Sequence, residues 1–184
     1  MAKNVLVPIA QGTADMEAVI IIEMLRRAKL NVVVAGETNI ITCARDVKII
    51  PEKYFSDIEN DEIWDAIVIP GGRQAMEELG ACGAFTDILA AHNDREGIIG
   101  AICAAPVLLH DLRILPKGVK VTAYPTMKSA FVDEQYSEYP VVVSGRFITS
   151  RSAGTTIDFC LQLIEILADT ETADRVKQEI CYDK

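Results

Sequence analysis

Histidine is scarce in this 184-residue chain, with only His92 and His110 present. A cysteine nucleophile in a hydrolytic site commonly draws on an imidazole base, so the shortage narrows the routes open to thiol chemistry. His110 follows Cys103 on the same predicted helix, roughly 10 Å along its axis and beyond direct hydrogen-bond reach. His92 is expected on a separate surface helix, and a Cys–His hydrolase is therefore disfavoured. The sequence also lacks a CxxC pair or a histidine cluster. Its five cysteines, Cys43, Cys82, Cys103, Cys160 and Cys181, are odd in number and scattered. That pattern argues against a disulfide framework and against a metal site, and no metal or cofactor is expected. No glycine loop of Walker or dinucleotide type occurs. The longest uncharged apolar stretch, GIIGAICAAPVLLH at 97–110, falls short of the roughly 18 residues that a membrane helix needs. The opening Met-Ala-Lys-Asn-Val runs straight into a strand pattern without a signal-peptide core, so a cytoplasmic location is expected. A net charge of −9 would repel phosphate backbones, so no nucleic-acid partner is expected.

What is present is an alternation of strand and helix. KNVLVPIA at 3–10 reads as a strand, 14–29 as a helix, and NVVVA at 31–35 as a second strand, which makes a β–α–β unit with a parallel pair. Val19, Ile21, Ile22, Leu25 and Ala28 are expected on the buried face of that helix. Residues 40–51 suggest two short strands around Ala44-Arg45-Asp46, and 54–64 a partial helix. Further strands are expected at 65–70, 97–102 and 119–123, with a hairpin of 141–144 and 147–150 about Gly145-Arg146. Helices are expected at 74–79, 85–93, after Cys103, at 155–168 and at 172–180. Half the residues are hydrophobic and there is no linker or repeat, so one α/β domain spanning 1–184 with a mostly parallel sheet is expected.

Cys103 stands where the β-branched run ending at Ile102 gives way to a helix whose first turn tolerates Pro106. Such a junction opens on the carboxyl edge of a parallel sheet, where ligands bind and a helix N-terminus favours a thiolate. Two other junctions share that edge. One follows the first strand at Gln11-Gly12 and leads to Glu17, and the other is Gly71-Gly72. If Glu17 meets Cys103, two acidic groups compete for ionisation, and a protonated glutamate would donate a hydrogen bond to the thiolate. Backbone N–H groups at Gly71 and Gly72 would serve an oxyanion. Taken singly, each feature has a plain structural reading: a buried apolar cysteine, a dipole-stabilised carboxylate and a turn.

Four stretches in order, AQGTADMEAV at 10–19, VIPGG at 68–72, AICAAP at 101–106 and ITSRSAGT at 148–155, resemble the parkinsonism-associated deglycase (DJ-one) branch of the ThiJ/PfpI superfamily. The resemblance covers nearly the whole chain. It implies a flavodoxin-like three-layer sandwich of class I glutamine amidotransferase type, a homodimer, and a nucleophile elbow whose cysteine oxidises readily to the sulfinic acid. By the same resemblance Cys103 is the reactive cysteine and Glu17 the protonated glutamate beside it. Gly72 and Ala104 correspond to oxyanion donors, Arg45 and Arg151 to arginines near the site and dimer interface, Cys43 to an interface cysteine, and Arg26 and Arg27 to the dimer-forming first helix. Some members carry histidine in a Thr-His-Pro context where this chain has Ala123-Tyr124-Pro125, and protease-like relatives carry histidine where Ala104 stands. Peptidase activity is accordingly not expected. The resemblance implies a glutathione-independent glyoxalase or deglycase acting on methylglyoxal or early glycation adducts through Cys103 and Glu17. The competing expectation is a redox sensor or stress chaperone that works through Cys103 oxidation. A protein-contact scaffold with a residual cysteine ranks last.

Overall fold

The computed structural model describes residues 2–59 and 61–183. Along the chain run β1 (Asn4–Pro8), α1 (Asp15–Arg27), β2 (Asn31–Gly36), the small hairpin β3 (Ile41–Thr42) and β4 (Lys48–Ile49), and β5 (Lys53–Tyr54). Next come β6 (Ala66–Ile69), α2 (Arg73–Ala81), α3 (Gly83–Asp94), β7 (Ile98–Ile102) and α4 (Ala105–Asp111). The remainder is β8 (Lys120–Val121), β9 (Gln135–Tyr136), β10 (Val141–Ser144), β11 (Phe147–Ser150), α5 (Thr156–Leu167) and α6 (Thr170–Glu179). Seven strands form the central sheet in the order β10-β11-β7-β6-β1-β2-β5. All neighbours pair in parallel except β10 with β11.

Successive side chains of a strand point to opposite faces, and both faces are covered here, which is why β1 and β6 read as near-continuous apolar runs. Leu6, Ile67 and Ile69 pack with α2, α3 and α4 on one side. Val5, Val7, Ala66 and Val68 pack with α1, α5 and α6 on the other. The architecture is a flavodoxin-like α/β sandwich. From β1 the chain first winds outward through β2 and then returns to the other side at β6. The crevice between the carboxyl ends of β1 and β6 is thus the topological switch point, where open α/β sheets bind ligands.

Four expectations need correction. The strand at 119–123 shrinks to β8, which pairs with β9 outside the central sheet. The partial helix at 54–64 is a single 3-10 turn over Phe55–Asp57. The buried face of α1 consists of Glu17, Ala18, Ile21, Met24 and Leu25, whereas Val19 is 48% exposed and Ile22 only half-buried. A helix apolar nearly all round does not by itself announce which stripe faces the sheet. Finally, His92 is 3% exposed rather than on the surface, and its Nε2 lies 2.8 Å from the Ile98 carbonyl at the amino edge of the sheet.

Candidate active site

Parallel pairing aligns the carboxyl ends of β1, β6, β7 and β11, so the four segments that follow meet at one edge. Ala14 N–H donates to the Gly71 carbonyl at 2.9 Å, joining the first two. Cys103 N–H donates to the Ser150 carbonyl at 3.0 Å, and its own carbonyl accepts from Tyr124 N–H at 2.8 Å. Both backbone polar groups of Cys103 are therefore held while its φ is +63°, in the left-handed region. For a residue with a Cβ this conformation costs on the order of 1 kcal/mol, and it persists because the surroundings over-determine it. The twist ends the strand abruptly and α4 starts two residues later, which presents the thiol at the rim of the sheet.

Glu17 lies behind that thiol, 1% exposed and, among the described residues, without a cationic partner. Its Oε2 accepts from Gly71 N–H at 2.8 Å, and the carboxyl also interacts with Ala153 N–H and the Cys103 thiol. Burial raises its pKa above 4.5, against the pull of those donors. A Cβ on Gly71 would sit 2.6 Å from Cys103 Cβ and 2.7 Å from Glu17 Oε2, so only glycine permits this meeting. The thiol departs from expectation. Burial first, and the charge of an ionised Glu17 second, push Cys103 up to about 12, while Ser152 and the Ala104 N–H favour the thiolate. The helix N-terminus alone does not decide its ionisation. A thiolate at neutral pH requires Glu17 to keep its proton, which removes the opposing charge and turns the carboxyl into a donor to sulfur. Cysteine and glutamate thus act as one pair sharing a proton.

The pair opens on a cleft of about 820 Å³ lined by Gly72, Cys103, Ala104, Tyr124, Arg45 and Ser152 among others. Of the expected oxyanion donors, Gly71 is corrected: its N–H is committed to Glu17. Gly72, at φ +113°, and Ala104 remain, with the Ala104 N–H directed to the sulfur. Tyr124 lines the cleft and is 42% exposed. Arg45 is held there because the Asp15 carboxylate accepts from the backbone N–H of Arg45 at 2.8 Å and of Val47 at 3.1 Å. Arg151 instead turns away to the Glu138 carbonyl at 3.1 Å. Cys43 is buried beside this region, with its thiol pushed up to about 11 by burial. Arg26 pairs with Glu52 at 2.8 Å and Arg27 with Glu23, both away from the cleft. His110 binds Glu134 Oε1 at 2.8 Å and supplies no base to Cys103. Sequence reading missed Ser152, whose Oγ lies 4.0 Å from Cys103 Sγ, and also Ala153 and Arg73. The strand ending at Ser150 on the same edge was the available signal for the first two. Among the described residues no acidic, histidine and cysteine cluster is suited to hold a metal, and no helix is long and apolar enough to cross a membrane.

The DJ-1/PfpI family model matches residues 3–166. This chain belongs to the DJ-1/PfpI family. It is 39% identical over 164 residues to Protein DJ-1 homolog B of Arabidopsis thaliana, covering 88% of this chain but 37% of the plant protein. It is 31% identical over 177 residues to glutathione-independent glyoxalase DJR-1.2 of Caenorhabditis elegans, covering 95% of this chain and 93% of the nematode protein. The crystal structure of Drosophila melanogaster DJ-1beta superposes with a TM-score of 0.95 at 34% identity, over 100% of both chains. The scaffold is therefore the one expected for that family.

Proposed function

We propose that this protein converts small 2-oxoaldehydes such as methylglyoxal to 2-hydroxy acids without glutathione, using Cys103 and Glu17. The observation that carries the reading is the buried Glu17 carboxyl facing the Cys103 thiol at the floor of an open cleft. The nematode relative, named a glutathione-independent glyoxalase, supports it. In this reaction Sγ adds to the aldehyde carbon, and the N–H groups of Gly72 and Ala104 receive the developing oxyanion. Glu17, by releasing and regaining its proton, moves the aldehyde hydrogen as a proton to the neighbouring carbon, leaving a 2-hydroxyacyl thioester. Water then breaks the C–S bond. The aldehyde carbon is oxidised to carboxylate and the ketone reduced to alcohol, so no external redox partner enters. No imidazole is required. The test is lactate formation from methylglyoxal without glutathione: wild type turns over, and Cys103→Ala and Glu17→Gln each lose at least about a hundredfold. Turnover that survives Cys103→Ala refutes the proposal.

A second reading is favoured by the donors around the sulfur. Ala104 N–H, Ser152 Oγ and a protonated Glu17 form a cradle suited to sulfinate oxygens, which fits a cytoplasmic redox-sensing role. Limiting peroxide should then add two oxygens to Cys103, detected by peptide mass, and Glu17→Ala should change the product. Self-association as a homodimer is part of the same proposal. Exposed Met16, Val19, Val47 and Ile50 on α1 and the β3–β4 hairpin support it, and light scattering of Val19→Asp tests it.

A further inference from the structure

The geometry points to Arg73 as a specificity-determining residue that selects carbonyl compounds bearing a carboxylate; this rests on the cysteine-dependent carbonyl chemistry proposed above and names the substrate class for that same cleft. Arg73 is exposed, immediately follows Gly72, and lines the Cys103 cleft. It also lines an adjoining hollow of about 430 Å³ that shares Ala104 and Met127 with the cleft. Arg73 therefore stands where the two spaces join, on the wall of the cleft that Cys103 also lines.

Nothing internal accounts for a cation there. Among the described residues the Arg73 side chain makes no hydrogen bond and no ion pair. Glu77, one turn along α2, and Asp111 on α4 line the neighbouring hollow, but neither pairs with it. As the first residue of α2 it meets the positive end of the helix dipole, a position that favours acidic side chains, and the first turn contains none. A cation placed against the local field and left without a protein partner is suited to a ligand anion.

The rest of the lining agrees. Arg45 lines the same cleft, and among the described residues its side chain has only the Ala44 carbonyl as a partner, at 2.8 Å. The acidic group of the cleft, Asp15, is engaged by two backbone N–H groups of the hairpin. The space of about 820 Å³ falls within the range of pockets for drug-sized ligands, more than a three-carbon dicarbonyl occupies. A planar guanidinium fork matches a carboxylate in two-point fashion, which an ammonium does not reproduce.

The deciding experiment needs no turnover. Cys103 is alkylated with anionic iodoacetate and with neutral iodoacetamide at one pH, the products are mapped by peptide, and the rate ratio is taken so that the thiolate fraction cancels. Exposed Cys181 serves as the internal reference. Arg73→Met should lower the iodoacetate preference at Cys103 by about tenfold, the scale of one charge-assisted hydrogen bond, with no change at Cys181. Arg73→Lys should retain part of it. An unchanged ratio, or an equal fall at Cys181, overturns the inference. A second arm compares kcat/KM for 4,5-dioxopentanoate, which would yield 2-hydroxyglutarate, with that for neutral 2-oxohexanal. Wild type should favour the anion and Arg73→Met should lose that preference; equal preference in both proteins overturns the inference. If neither compound turns over, the glyoxalase reading fails, and the alkylation ratio still decides the role of Arg73.

Discussion

The carboxyl and amino edges of the central sheet both bury titratable side chains beside a glycine, yet only one edge is built for chemistry. At the carboxyl edge Gly71 makes room for Cys103 and Glu17. At the amino edge Gly97 makes room for His92, whose ring would lie 2.1 Å from an added Cβ. Burial holds Glu17 above its ordinary pKa and, helped by the charges of Arg146 and Arg95, holds His92 below its own. The surroundings differ. His92 spends its Nε2 on the Ile98 carbonyl and borders a hollow of about 10 Å³, whereas the sulfur of Cys103 faces about 820 Å³. A shifted ionisation equilibrium marks burial, and a site requires a reactive atom facing space as well.

The largest expected effect separates the two glycines. Gly97→Ala should cost about 1–3 kcal/mol, because a rigid imidazole must move and surrender its carbonyl, while dicarbonyl turnover per folded molecule is retained. Gly71→Ala should abolish turnover by displacing Cys103 and Glu17. Denaturant melts combined with lactate assays measure both, and a Gly71→Ala variant with full activity would remove the basis for separating the edges.

The next effect is a contrast of sign with pH between the two edges. The folded state prefers neutral His92, so its contribution is present above about 6.5 and is lost as pH falls toward the lower folded value. The folded state also prefers protonated Glu17, so that contribution is present below about 4.5 and is lost as pH rises through the raised folded value. Glu17→Gln should therefore raise Tm at pH 8 and change it little at pH 4. His92→Gln should flatten the decline between pH 6.5 and 5. Parallel stability curves for wild type and both variants would contradict both assignments.

A finer experiment sharpens the cysteine side. In Glu17→Gln the alkylation midpoint of Cys103 should fall well below about 12, since the opposing charge is gone; a midpoint that stays there would assign the elevation to burial alone. Smallest of all, Cys103→Gly should be more stable than Cys103→Ala by up to about 1 kcal/mol, because glycine adopts φ +63° without the Cβ penalty. Thermal melts of the two variants give that difference directly.

Much of this was legible along the chain. The β-branched run before Cys103 and the Pro106 after it marked the elbow, and alternating periods marked the layered fold. The failures share a cause. On α3 the buried positions Phe85, Ile88, Leu89 and His92 follow helical spacing, so the pattern held the burial of His92, but residue type pulled the reading to the surface. On α1 the apolar residues nearly encircle the helix, and packing on the sheet chose Glu17 for the inside over Val19.

The sequence by itself determined the alternation of strand and helix, the mostly parallel sheet, and the placing of Cys103 at a strand end and Glu17 in the first turn of a helix, because those depend on local period and on junction chemistry. Tertiary structure alone decided that Gly71 N–H serves Glu17 rather than an oxyanion, that Ser152 and Ala153 complete the site, and that the thiol is raised rather than lowered. These outcomes depend on desolvation and on distances between residues far apart in the chain, which no local pattern encodes.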